Sequence, residues 1–153
     1  MAHYPLNHHL RPVYRLLAGL AGLYLSLVGI IGIAKTWGDP FFYRDGADWV
    51  LGLRVNPAGS WLFAIVGIVL LAAVLIGGNA YHHIALVLGW GLCGVAVLVM
   101  AFLQTDANVL NASMANVITT IILGLVTLTA GLYGKVGSST AAHAEAVAAH
   151  SAR

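Results

Sequence analysis

The stretch Thr105–Asn116 reads TDANVLNASMAN and gathers the polar side chains of Thr105, Asp106, Asn108, Asn111, Ser113 and Asn116 between two long apolar runs. Three uses are open to them. Asp106, Asn108 and Asn116 could meet Arg54 and Asn56 from an earlier loop, with an Asp106–Arg54 ion pair pinning the two loops together. The same cluster could bind a ligand, and an enzyme acting on lipid head groups would draw on Asp106, Arg54 and Asn116. Or the segment only turns and caps the chain. The first N–H groups of a helix lack partners, and Ser113 or Asn111 could supply one. Asp106 and Asn108 can close Asx-type turns. Asn116 stands apart, because it falls about one turn inside the next apolar run, where an amide needs a partner. Asn111-Ala112-Ser113 also fits the N-glycosylation pattern, a match of low specificity.

Histidine is the other residue type with chemistry to offer: His3, His8, His9, His82, His83, His143 and His150. Neighbours in sequence point in different directions on a helix, so His8-His9 and His82-His83 are poor chelating pairs. Imidazoles from the termini and from the 77–83 connection could still converge on one face, for a metal or as a pH sensor. The plainer expectation is solvated interface residues. The single cysteine, Cys93, lies in an apolar run and reads as a small packing residue. The sequence contains no P-loop, HExxH or GxSxG motif, and no GxGxxG that follows a strand. No catalytic residue, metal site or cofactor is therefore expected.

The elements that must position these residues are membrane spans. Of 153 residues, 60% are hydrophobic and 8% charged, against about 25% charged in an average soluble domain. A surface so poor in charge suits a bilayer. The net charge of +2, with Lys and Arg scattered, suggests no nucleic-acid partner. Crossing hydrocarbon takes about 20 mostly apolar residues, and four segments qualify: about 13–34, 59–76, 84–103 and 114–133. The first follows two arginines, as a signal peptide would, but it is long for that role and LysThrTrp follows it. It is expected to be retained.

Four crossings put both termini on one side, with Arg11, Arg15, Lys135 and Arg153. Lys35, Arg44 and Arg54 fall on the other, which favours cytoplasmic termini under the positive-inside rule. All seven histidines then lie on the cytoplasmic side. Lipid tails give membrane helices no hydrophobic reason to associate, so small residues must let them approach. Ala18, Gly22, Ser26 and Gly29 form such a row in the first span. Asn116, Thr120, Gly124, Thr127 and Gly131 form another in the fourth, and Gly89, Cys93 and Ala96 a shorter one in the third. A sharper reading makes Asn116, Thr120 and Thr127 a polar pathway. The span interiors hold no Asp, Glu, Lys, Arg or His, which argues against proton coupling. The second span shows the least clear row and is expected to face lipid more.

The 77–83 connection reads as a short turn between antiparallel spans. The first loop is long and aromatic, with Trp37, Phe41, Phe42, Tyr43, Trp49 and Trp61 in or beside it, as at a membrane interface. Asp45 or Asp48 could cap a short surface helix running to Leu53. Residues 138–153 read as a flexible polar tail, with some helix possible near 141–149.

Four segments in this order carry a family resemblance: LNHHLRPVYRLLAGLAGLY, WVLGLRVNP, TDANVLNASMANVI and LVTLTAGLYGKVG. The chain resembles the small four-helix membrane proteins of actinobacteria grouped as "domain of unknown function 4383". The resemblance spans about residues 6–137. It implies a topology and a bacterial plasma-membrane location, and carries over no catalytic residue. The expected fold is an all-α integral membrane protein, a four-transmembrane-helix bundle over residues 1–137. The expected role is a non-enzymatic accessory or assembly subunit, in contact with the bilayer and with a membrane-protein partner or further copies of itself. The alternative is a small channel or carrier for a neutral or apolar solute.

Overall fold

The structure, a computed structural model, describes residues 6–46 and 48–151. His3 and Arg153 lie outside them, as does the side chain of His150. Four helices are long and apolar enough to cross a membrane: α1 (Arg11–Lys35), α2 (Pro57–Ile76), α3 (Gly78–Phe102) and α4 (Met114–Leu132). At 1.5 Å per residue even α4, with 19 residues, spans roughly 29 Å, close to the hydrocarbon thickness. Pro12 sits in the first turn of α1 and Pro57 in that of α2, where a missing N–H costs no hydrogen bond. A further helix, α5 (Ser139–Ser151), follows, so the described part of the tail is helical beyond the 141–149 stretch expected.

The expected surface helix between Asp45 and Leu53 is instead a β-hairpin, β1 (Asp48–Val50) paired antiparallel with β2 (Leu53–Val55). Its two-residue turn, Leu51-Gly52, has both residues at positive φ (48° and 87°). That is the backbone of a type I′ turn, whose twist matches the strands. Val50, Leu53 and Val55 are buried while Trp49 is exposed, the alternation of a strand. The Tyr24 hydroxyl donates to Leu51 O at 3.0 Å and Lys35 Nζ to Trp49 O at 3.1 Å, which fastens the hairpin to α1.

Small residues join the helices in two pairs. On α1, Ala18, Gly22, Ser26 and Gly29 are all buried. A Cβ at Gly29 would strike the backbone of Ala64, and one at Gly22 would come within 3.2 Å of Gly67 O. On α4, a Cβ at Gly124 would lie 2.7 Å from Cys93 Sγ, and one at Gly131 2.8 Å from Leu86 N. Thr120 and Thr127 of the same row are buried.

The expectation for the second span is corrected. α2 does carry a row, Ser60, Ala64 and Gly67, and it faces α1: a Cβ at Gly67 would lie 2.6 Å from Ser26 Oγ. The helix most open to its surroundings is α3, with 22% of its apolar window buried against 39% for α2. The 77–83 turn is also shorter than expected. Gly77, at φ 71°, ends α2, and α3 begins at Gly78. His82 and His83 therefore belong to a helix.

Candidate functional site

The polar residues of the 105–116 stretch do converge with the first loop, through backbone groups and not through an ion pair. Asn116 sits at the third position of α4 and is 5% exposed. Its Oδ1 accepts from Arg54 N at 3.1 Å, and its Nδ2 donates to Arg54 O at 2.7 Å. The side-chain amide thus pairs with the Arg54 peptide as a neighbouring strand would. The same Oδ1 accepts from Ser113 N (3.1 Å) and Ser113 Oγ (2.8 Å), which ties it to the N-cap of its own helix.

Asn56 does the corresponding work for α2. Its Oδ1 accepts from Gly59 N at 2.8 Å, an N-cap bond. Its Nδ2 donates to Tyr43 O (3.0 Å) and Val109 O (2.9 Å), so one buried amide holds the first loop, the third loop and a helix start. Asn108 closes its own loop, accepting from Ala112 N at 3.0 Å and donating to Leu103 O and Ala112 O. Asn111, in the left-handed region at φ 51°, donates to Gly46 O at 2.7 Å. Its side chain is buried, and neither sequence reading gave it this cross-loop role.

The expected Asp106–Arg54 pair does not form. Asp106 is fully exposed and lies 3.8 Å from Arg44 Nη1, which also donates to Asp106 O. The Arg54 guanidinium turns the other way and donates from Nη2 to Gly46 O at 3.2 Å. The reason is local: the Arg54 peptide is held by Asn116 at the hairpin edge, while Asp106 sits at the outer tip of the third loop. The five expected residues therefore divide. Arg54, Asn56 and Asn116 join the two loops, Asn108 shapes one of them, and Asp106 decorates the surface beside Arg44. Trp37, Phe41, Phe42, Trp49 and Trp61 are exposed around this end of the bundle.

The opposite end carries the histidines. His8 stacks on His9 and lies 4.8 Å from Tyr133, which stacks on Tyr14. His82 is the correction here: it is buried, not solvated, and its Nδ1 lies 2.7 Å from Gly131 O. A carbonyl only accepts, so Nδ1 carries the proton. His83 is exposed. Among the described residues no group of three or more His, Cys, Asp or Glu could hold a metal ion. Arg15 donates to Val74 O (2.7 Å) and Leu75 O (3.2 Å), placing a cation on the carbonyl end of α2.

The interior row Asn116, Thr120, Thr127 is buried. Asn116 and Thr120 line an apolar crevice between α2, α3 and α4, whereas Thr127 does not reach it. Comparison of the chain with protein-family models, with characterised proteins and with solved structures gives no match.

Proposed function

We propose that the protein is a four-span membrane protein with both termini in the cytoplasm, and that it acts as a non-enzymatic accessory or assembly subunit of a larger membrane complex. The observation that carries this reading is the use made of the polar cluster. The amides of Asn56, Asn111 and Asn116, the groups best placed to hold a substrate, are engaged with backbone of the two loops they join. The cluster builds a rigid frame. Outside that frame stands a broad apolar surface, with Val87, Trp90, Val97 and Leu98 of α3 all exposed, available to lipid or to another membrane protein. The cytoplasmic placement of the termini rests on the Lys and Arg balance, and the bacterial plasma membrane on the motif resemblance alone.

The test is purification of the tagged protein from its native membrane in mild detergent, with the particle mass and every co-purifying chain identified by mass spectrometry. A stoichiometric membrane-protein partner is the expected result. A particle containing only this chain and lipid would overturn the accessory reading. It would leave a second one, a carrier for an apolar molecule, which the crevice between α2 and α3 favours.

A further inference from the structure

Glycine contacts join α1 to α2 and α3 to α4, but α2 makes much less contact with α3 than with α1. The seam between α2 and α3 holds a crevice of about 160 Å³. Phe63, Leu92 and Val117 are its buried floor, and Leu62, Val66 and Val95 its half-buried walls. Gly91 is exposed on the rim, where an added Cβ would meet no atom within 4 Å.

Chemistry and size together select the occupant. The polar side chains in the lining are Asn116 and Thr120. The Asn116 oxygen already accepts from Arg54 and Ser113, and its nitrogen already donates to Arg54 O. A polar solute would leave water and find little to replace it. The volume matches a cavity of about 150 Å³, which takes a molecule the size of benzene. It is far too small for a helix of a second copy, roughly 10 Å across. A slim hydrocarbon fits both limits, and an unfilled crevice would forfeit the dispersion contacts of its walls.

We propose that the crevice seats one acyl chain of a membrane lipid, entering sideways between α2 and α3. This rests on the membrane reading above, since the bilayer supplies the chain at the mouth. The lining runs from Gly59 and Ala112 beside the loops to Leu88 and Thr120 deeper in the bundle. The chain therefore lies along the helices and comes from the leaflet on the loop side.

The test uses full-length protein in vesicles of phosphatidylcholine and phosphatidylglycerol, with a trace of phosphatidylglycerol carrying a diazirine midway along one acyl chain. After illumination, labelled residues are mapped by mass spectrometry. Labelling should concentrate on Leu62, Val66 and Val95, severalfold above exposed Ile30 and Leu125. Gly91→Leu places a side chain in the crevice from α3. It should cut the crevice labels about tenfold, the change produced by 1.4 kcal/mol of exclusion, and leave Ile30 and Leu125 unchanged. Val66→Phe fills the same space from α2 and should do the same, so the test survives if one variant does not fold. Even labelling of all outward positions, or crevice labels that both variants leave intact, would overturn the acyl-chain seat alone. Release of the protein from the vesicles by carbonate, with no helix labelled, would overturn the membrane reading and the seat together.

Discussion

Asn116→Ala is the substitution through which the loop-joining account is most exposed to refutation. The change removes the acceptor of Arg54 N–H, the donor to Arg54 C=O and the acceptor of Ser113 N–H. A backbone group left buried and unpaired costs about 1–3 kcal/mol. The surrounding residues are only partly buried, so water can reach some of these groups, and the three together should cost about 3–5 kcal/mol. For a chain of this size that corresponds to a fall in Tm of about 10 °C. The assay is thermal unfolding in mild detergent, followed by circular dichroism and by retention of a monodisperse peak. Because the partner of Asn116 is the Arg54 peptide and not its side chain, Arg54→Gln should leave the Asn116 bonds in place. The two substitutions should then add within about 0.5 kcal/mol. An Asn116→Ala protein that melts with the wild type would refute the account. Strong coupling to the Arg54 side chain would show that the guanidinium, not the peptide, is what Asn116 holds.

Four further outcomes follow from the same geometry. Asp106→Asn and Arg44→Gln should each leave Tm unchanged, because a solvent-exposed ion pair contributes little; a clear loss in either would place the third-loop tip in the frame. Gly29→Val should cost about 3 kcal/mol or more, since its Cβ would strike the Ala64 backbone, and unfolding or aggregation in detergent measures it. Gly94→Ala, with no atom within 4 Å of the new Cβ, should instead be neutral or stabilising by up to about 1 kcal/mol. Leu51→Asn should raise Tm slightly, because Leu51 holds φ 48° and asparagine tolerates that region at lower cost, by up to about 1 kcal/mol.

The helices were legible because a span is a run of one kind of residue, and 114–133 in sequence became Met114–Leu132 in the fold. The rows Gly22, Ser26, Gly29 and Gly124, Thr127, Gly131 were legible too, since small residues at a spacing of three and four stand out among leucines. The row Ser60, Ala64, Gly67 has the same spacing and was obscured by the dense aliphatic residues around it. The hairpin hid behind its turn. Trp49-Val50 and Leu53-Arg54-Val55 alternate as strands do, but leucine rarely accepts positive φ, so Leu51-Gly52 does not announce a turn as asparagine-glycine would. The sequence marks Asn116 as an amide that must find a partner. Which partner it finds was not legible, because every residue carries a backbone N–H and C=O. A carboxylate paired with a guanidinium is the pairing residue types suggest, and the fold uses peptide groups instead.

The two ends of the bundle solve one problem in the same way. Glycine rows hold α1 to α2 and α3 to α4, yet among the described residues no such glycine contact joins the two pairs along the α2–α3 seam. The joining is done at the ends. On the loop side, Asn116, Asn56 and Asn111 reach from one pair's connection to the other's. On the terminal side, Asn7 donates from Nδ2 to Gly137 O at 2.8 Å and accepts from Gly137 N at 3.3 Å, the same amide-to-peptide pairing seen at Arg54. Tyr81, fully buried, brings its hydroxyl 3.3 Å from Ala130 O and 3.5 Å from Tyr14 O, between the two pairs. Hydrogen bonds suit the ends because the loop and terminal backbone there carries N–H and C=O groups that no helix has already paired. In the middle, a polar clamp would have to be desolvated, and Gly91, the glycine of α3 on that seam, makes no close approach to α2. A bundle fastened at both ends and glued in pairs is left with little contact between α2 and α3, and the crevice opens along that seam from the loop side inward.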